Sequence, residues 1–180
     1  QTLRATVDWS YSLLSPTERV VFDRLGVFAG DFDGAAAGAV VAGSGIEPWD
    51  VLDALGSLVA KSMVNIDDSA GGDARYRMLE TIRQYAAEQL EASGEVGAIR
   101  GAHAAWCLAL AEAAGPDLLA GRNQVPWMAR LDAELANLRA ALTLSDAFCV
   151  DRYRAEFLDL IRSGTVDLVF ANERELHSLY

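Results

Sequence analysis

The sequence predicts a mainly α protein: a winged helix, helical with a small β-hairpin wing, followed by an α-hairpin and a short helix-strand-helix tail. Three observations predict it. Apolar residues recur three or four positions apart through most of the first 142 residues, the spacing of one helix face. One short alternation, Arg75-Tyr-Arg-Met78, follows a Gly-rich stretch and runs straight into helical spacing at Leu79, Ile82, Ala86 and Leu90. That is how a wing hands over to its last helix. The chain is also rich in Ala and Leu, has only 4 Pro and is 52% hydrophobic, which leans to helix and leaves material for a core.

Each element has its own signal. Leu3 to Leu14 forms a helix with Leu3, Val7, Tyr11 and Leu14 on one face and Trp9 near its edge. Ser15-Pro-Thr-Glu18 starts the next helix: Ser15 caps it, Pro16 suits its first position, and Glu18 completes a capping box. Val20, Val21, Phe22, Leu25 and Phe28 supply its apolar face, and Gly26 and Gly30 end it. Asp31-Phe-Asp-Gly34 is a turn whose Asp33 caps an Ala-rich helix over 34–42. After the Gly43-Ser-Gly45 break, Pro48 opens a helix over 48–61 carried by Val51, Leu52, Leu55, Leu58 and Val59. Met63 to Ile66 is β-like, and 67–73 is the hairpin tip.

Residues 1–93 therefore read as a winged-helix domain, with helix 48–61 in the position that reads DNA in proteins that use it so. Residues 94–142 read as a helical hairpin. His103, Cys107, Leu110 and Ala111 lie on its first helix; Gly115-Pro116 and Gly121 mark the connection; Trp127, Leu131, Leu135, Leu138 and Leu142 lie on its second. From about 143 to 180 the grammar changes to helix, strand (Val166 to Ala171) and helix, an α/β pattern whose neighbouring parallel strands are missing upstream.

Bulk properties exclude several function classes. No apolar run approaches the roughly 20 residues of a membrane span, and no basic leader with an apolar core opens the chain. The first residue is Gln rather than Met, which suits a piece of a longer protein. Cys107 and Cys149 are far apart, neither a metal pair nor a redox pair, as in a reduced cytoplasmic protein. The net charge of −11 is spread along the chain: residues 1–68 carry 4 basic and 10 acidic side chains, 69–143 carry 7 and 9, and 144–180 carry 4 and 7. No segment is basic, so the long-range field opposes a phosphate backbone.

The single residues favour structure over chemistry. His103 has no second ligand at metal spacing and reads as a helix-surface or partly packed histidine, as does His177. Ser10, Ser12 and Ser15 lack a His partner and suit caps and solvent contact. Trp9, Trp49, Trp106 and Trp127 are spread over four helices and suit packing. Helix 48–61 offers Asp50, Asp53 and Ser57, with Lys61 only at its end, where a groove-reading helix needs Arg, Lys, Asn or Gln. Protein contact is the better reading. Arg75, Arg77 and Arg83 are the one local basic cluster; they could meet an acidic face or phosphates, or pair with Glu80 and solvent.

Residues 1 to about 142 resemble the region after the nucleotide-binding domain in bacterial STAND-class regulatory ATPases of the NB-ARC type. The likeness is carried by Gln1-Thr-Leu-Arg-Ala-Thr-Val-Asp-Trp-Ser-Tyr11, Leu14-Ser-Pro-Thr-Glu-Arg19, Arg24-Leu-Gly-Val-Phe-Ala-Gly30, Leu55-Gly-Ser-Leu-Val-Ala-Lys-Ser62 and Tyr76-Arg-Met-Leu-Glu-Thr-Ile-Arg-Gln-Tyr-Ala86. Glu134-Leu-Ala-Asn-Leu-Arg-Ala-Ala-Leu142 is similar to the entry into that family's tetratricopeptide-like array. The resemblance implies a transmitter that clamps on the ATPase domain and passes nucleotide state to sensor repeats. It puts Met78, Leu79 and Glu80 where many relatives carry a nucleotide-sensing Met-His-Asp motif; Leu79 has no donor to replace the His. Arg75 and Arg77 would then face the nucleotide domain. The phosphate-binding loop has no match in this sequence.

Residues 143–180 resemble an internal piece of ribokinase-type, adenosine-kinase-like carbohydrate kinases, through Leu144-Ser-Asp-Ala-Phe-Cys-Val-Asp-Arg-Tyr-Arg154 and Asp167-Leu-Val-Phe-Ala-Asn-Glu-Arg-Glu-Leu176. By that resemblance Asn172 and Glu175 match an Asn-x-x-Glu motif that helps place magnesium and phosphate. The family's catalytic Asp segment has no counterpart. The chain then reads as a composite joined near 140–145, with no catalytic residue and no cofactor of its own; ATP, ADP and magnesium belong to the intact parent families. The expected partners are a nucleotide-binding ATPase domain and proteins held by helical repeats, not DNA or membrane. The alternatives are a kinase fragment and a winged-helix DNA-binding module.

Overall fold

Ser15 caps the start of a helix. Its hydroxyl accepts from the Glu18 amide at 3.3 Å while the Glu18 carboxylate accepts from the Ser15 amide at 2.6 Å, the reciprocal capping box that the sequence predicts. In the computed structural model, which describes residues 2–67 and 74–142, this helix is the second of eight among the described residues. They are α1 (Thr2–Ser12), α2 (Pro16–Leu25), α3 (Gly34–Val41), α4 (Pro48–Ala60), α5 (Glu80–Ser93), α6 (Val96–Leu119), α7 (Gln124–Ala133) and α8 (Leu135–Leu142). Three short strands, β1 (Phe32–Asp33), β2 (Asn65–Asp67) and β3 (Arg75–Arg77), form an antiparallel sheet in the order β1-β3-β2. The fold is mainly helical with a small wing, as expected.

The core follows from the apolar faces. Phe22 and Leu25 of α2, Val40 and Val41 of α3, and Val51, Leu55 and Leu58 of α4 are fully enclosed with Phe28 and Phe32. Each such side chain contributes roughly 1.5–3 kcal/mol by leaving water. Tyr76 sits at the centre of the sheet, opposite both Phe32 and Ile66, with its ring stacked on Phe32 at 6.0 Å. Close approach matters at Gly26: a Cβ there would lie 2.6 Å from the Ala87 backbone nitrogen, so only glycine lets α2 end against α5. Arg24, almost wholly buried, ties three elements together. Its guanidinium donates to the Glu95 carboxylate at 2.8 and 3.0 Å and to the Val41 and Gly43 carbonyls at 2.8 and 2.9 Å, which closes the C-terminal end of α3.

Several expectations need correction. The first helix stops at Ser12, and Leu14 is buried in the turn after it. Phe32 and Asp33, expected only as turn, also pair with β3. The wing strand is Asn65–Asp67, with Met63 and Val64 buried ahead of it. Leu79 is not part of the α5 stripe; it is the N-cap residue and 56% exposed, and Tyr85 takes its place inside. α6 continues through Pro116 to Leu119: the proline removes one backbone donor, and the helix resumes beyond it, with the Ala120 amide donating to the Pro116 carbonyl at 3.1 Å. The helix expected across 127–142 is two helices meeting at Glu134, whose φ of −98° and ψ of 5° depart from the helix. Residues 68–73 of the hairpin tip and the whole 143–180 tail, with Asn172 and Glu175, lie outside the described residues.

Candidate functional site

Two surfaces deserve weighing: the outer side of α4, where a winged helix meets DNA, and the ends of β3, where the predicted arginines lie. α4 turns Val51, Ala54, Leu55 and Leu58 inward, so the 3.6-residue period leaves Trp49, Leu52, Asp53, Gly56 and Ala60 outside. Trp49 is 64% and Leu52 50% exposed. Lys61, the one base at this helix, is held by Glu18, with Nζ 2.6 and 2.7 Å from the two carboxylate oxygens. Burial pushes the Glu18 carboxyl up, but hydrogen bonds from Lys61, Ser57 and the Ser15 amide outweigh it and bring it down to about 2. The lysine charge is therefore spent inside the chain. Between α3, α4 and the sheet lies an open groove of about 620 Å³.

At β3 the arginines part company. Arg75 and Arg77 project to the same side of the strand, two residues apart. Arg75 turns into the chain: its guanidinium donates to the Glu134 carboxylate, to the Asp31 carbonyl at 2.8 Å and to the Ala133 carbonyl at 3.1 Å. Glu134 is 1% exposed. Asn137, fully buried beside it, accepts from the Ala29 and Gly30 amides at 3.0 and 3.2 Å and donates to the Asp31 carbonyl and to Glu134 at 2.8 Å. This network fastens the C-terminal hairpin to the loop before β1. Neither Glu134 nor Asn137 was among the sequence candidates; a buried carboxylate opposite a buried amide becomes visible only once α8 is in place.

Arg77 stays 70% exposed, 3.3 Å from the Asp31 carboxylate. It lines a recess of about 210 Å³ with Met78, Leu79, Glu80 and Arg83, floored by Leu25, Phe28 and Phe32. The structure thus brings Arg77 together with Met78, Leu79 and Glu80 and sends Arg75 elsewhere. Glu80 is engaged by Arg83 at 2.7 Å and by Gln84 at 2.8 Å, and these bonds lower its carboxyl to about 2. His103 is buried rather than at the surface, edge-on to Phe28 at 5.3 Å; burial pulls its pKa down to about 4 against a hydrogen bond with Asn137. No helix among the described residues is long and apolar enough to cross a membrane.

Comparison with known proteins agrees with this geometry. Residues 14–91 match the winged helix-turn-helix domain family. Over 145 residues, 81% of the chain, the sequence is 47% identical to proteins of Mycobacterium tuberculosis and Mycobacterium bovis that bear the name HTH-type transcriptional regulator. Over 100 residues, 55% of the chain, it is 46% identical to an uncharacterized protein of Mycobacterium tuberculosis. The matched stretch is 16% of the length of the regulators and 25% of the uncharacterized protein. No solved structure matches the chain.

Proposed function

We propose, for a chain whose residues 14–91 are a winged helix-turn-helix domain homologous to part of HTH-type transcriptional regulators, that this segment is a non-catalytic transmitting module of a longer cytoplasmic regulator. Its α4 makes protein contacts in place of DNA contacts. The observation that carries this reading is the outer face of α4, where Trp49, Leu52, Asp53 and Gly56 stand and no Arg, Lys, Asn or Gln does. Carboxylates there would repel a phosphate backbone, and the overall charge of −11 adds to the repulsion.

The finer part of the reading is that a nucleotide-binding domain of the same regulator packs over the recess bounded by Arg77, Met78, Leu79 and Glu80. The resemblance of Met78-Leu79-Glu80 to a nucleotide-sensing position supports this, as does the exposed guanidinium at its rim. Transmission would run along β3. Asp31 binds Arg77 through its carboxylate, while its carbonyl binds Arg75 and Asn137, so movement at the recess reaches Glu134 and the hairpin through a few bonds.

Two measurements test it. In the full-length regulator, Arg77→Glu should shift nucleotide-dependent activation at least several-fold; an unchanged activation curve removes the recess from the pathway. With the 180-residue chain, anisotropy of a labelled DNA duplex should show no steeply salt-dependent binding. DNA affinity that Leu52→Asp abolishes would make α4 a DNA reader and sink the proposal.

A further inference from the structure

α1 precedes the stretch that matches the winged helix-turn-helix family, residues 14–91, and leans on that domain from outside. Its hold is slight. Val7 is the one described α1 residue that is buried, Tyr11 meets the rings of Phe22 and Tyr85, and the Arg4–Glu88 ion pair spans the exposed rim. A helix of 11 residues is marginal by itself in water, so α1 keeps its backbone hydrogen bonds only while it is docked.

Two polar atoms buried in this seam have no hydrogen-bond partner, and they are of opposite kind. Oδ1 of Asp23 is an acceptor; Nε of Arg19, one turn earlier on α2, is a donor. Arg19 is occupied elsewhere: its Nη2 donates to the Ser12 carbonyl at 2.7 Å, and its guanidinium lies 5.5 Å from the centre of the Tyr11 ring. The other Asp23 oxygen accepts from the Tyr11 hydroxyl of α1 at 3.0 Å. The remaining groups that face Asp23 are Tyr85 of α5, turned to Arg4 and Asp8 of α1, and Glu95 before α6, held by Arg24. An ionised carboxylate with one oxygen shut off from water and from donors is costly, and water reaches both orphan atoms once α1 lifts away. Burial therefore outweighs Tyr11 and Arg19, Glu95 adds repulsion, and the Asp23 carboxyl is pushed up to about 7.

We propose that α1 is an acid-held latch: protonated Asp23 keeps it docked on α2 and α5, and loss of that proton to solvent releases it. Docked α1 retains a proton that released α1 gives up between the ordinary 3.8 and about 7. The opening constant therefore rises up to about tenfold per pH unit across that range and levels off above it. Glu95, lowered by Arg24, acts below its ordinary 4.5, and Tyr11 and Tyr85, raised to about 12, act above 10. They leave the interval from about pH 5 to 7 to Asp23. A fall in pH from neutral clamps α1; a rise frees it and uncovers the side of α2 and α5 that carries Asp23 and Tyr85.

Native-state hydrogen exchange of the 180-residue chain tests this, with each amide rate divided by its intrinsic rate at the same pH. Protection at Val7 to Ser12 should fall about tenfold from pH 5 to 6 and about fivefold from 6 to 7. The amides of α4, in the core beneath, should keep theirs, the mark of a local opening. Asp23→Asn should hold α1 at a protection that no longer changes with pH. Glu88→Gln cuts only the exposed ion pair, so it should lower α1 protection about twofold and keep the slope. Circular dichroism checks that both variants fold. A flat profile in the parent, a slope that survives Asp23→Asn, or α4 amides that lose protection in step with α1 would overturn the latch.

Discussion

Two seams hold accessory helices to the winged helix, and they are built on opposite plans. On one side α1 lies against α2 and α5 through rings: Tyr11 meets Tyr85 edge-on at 5.4 Å and Phe22 at 5.7 Å, and Val7 is the one described α1 residue that is fully buried. Its exposed rim holds the Arg4–Glu88 ion pair at 2.6 Å, but its buried polar content is poorly matched. The Tyr11 hydroxyl donates to Asp23 at 3.0 Å, while the other Asp23 oxygen is buried without a hydrogen-bond partner. Burial, only partly offset by Tyr11 and Arg19, pushes the Asp23 carboxyl up to about 7. On the other side the C-terminal hairpin is held by Ile99, His103, Cys107 and Leu110 of α6 and by the Arg75–Glu134–Asn137 network, in which Asn137 uses both ends of its amide. Apolar stacking sets no register, whereas a closed polar network accepts one arrangement only. The hairpin seam is therefore the one fit to carry a positional signal, and the α1 seam the one to loosen first.

The largest effect should come from opening that network. Arg75→Ala leaves the Glu134 carboxylate 1% exposed with Asn137 as its remaining side-chain partner. A charge stranded in this way costs about 3–5 kcal/mol, read as a lower urea midpoint. Adding Glu134→Gln to Arg75→Ala should recover part of the loss, because the stranded charge is gone; no recovery would mean that Arg75 acts through its packing alone. Asn137→Ala should cost less, about 1–3 kcal/mol, and should speed amide exchange at Ala29 and Gly30, the two donors it satisfies. The equivalent cut at the other seam, Tyr11→Phe, removes one hydrogen bond to an acid that is already strained and should stay near 1 kcal/mol. A larger loss at α1 than at the hairpin would reverse the contrast.

How far each seam was legible in the sequence follows from its range. Ser15, Pro16 and Glu18 act on amides three residues away, and Asp33 caps Ala36 at 2.7 Å, so those helix starts could be read directly. The inward residues of α4 and most of α5 followed from period alone. β1 did not: Phe32 and Asp33 sit in a turn-like Asp-Phe-Asp-Gly sequence, and it is pairing with β3 that makes them a strand. Glu134 and Asn137 read locally as the wet face of a helix whose dry face is Leu131, Leu135 and Leu138. Their partners lie 59 and more than 100 residues away, beyond any pattern of period. Arg75 and Arg77 looked alike for the same reason. One has a buried acceptor waiting on a distant helix and the other does not.

The effect that nearly cancels in the parent chain sharpens the comparison most, since it sets the part-buried Asp23 of one seam against the buried His103 of the other. Asp23 has a folded pKa of about 7 against an ordinary 3.8, so its stabilising contribution is full below 3.8 and is lost as pH rises toward 7. His103 has a folded pKa of about 4 against 6.5, so its contribution is full above 6.5 and is lost as pH falls toward 4. Glu18, with its carboxyl lowered to about 2, acts below 4.5, and Tyr11 and Tyr85, raised to about 12, act above 10. Between about pH 4.5 and 6.5 the two slopes oppose each other, each at most about 1.4 kcal/mol per pH unit, and the parent chain should show nearly constant stability there. Asp23→Asn removes the falling slope and should leave stability rising with pH. His103→Gln removes the rising slope and should leave it falling. Urea melts across that window read both, and variants that keep the flat profile of the parent would show that neither group carries the burial assigned to it.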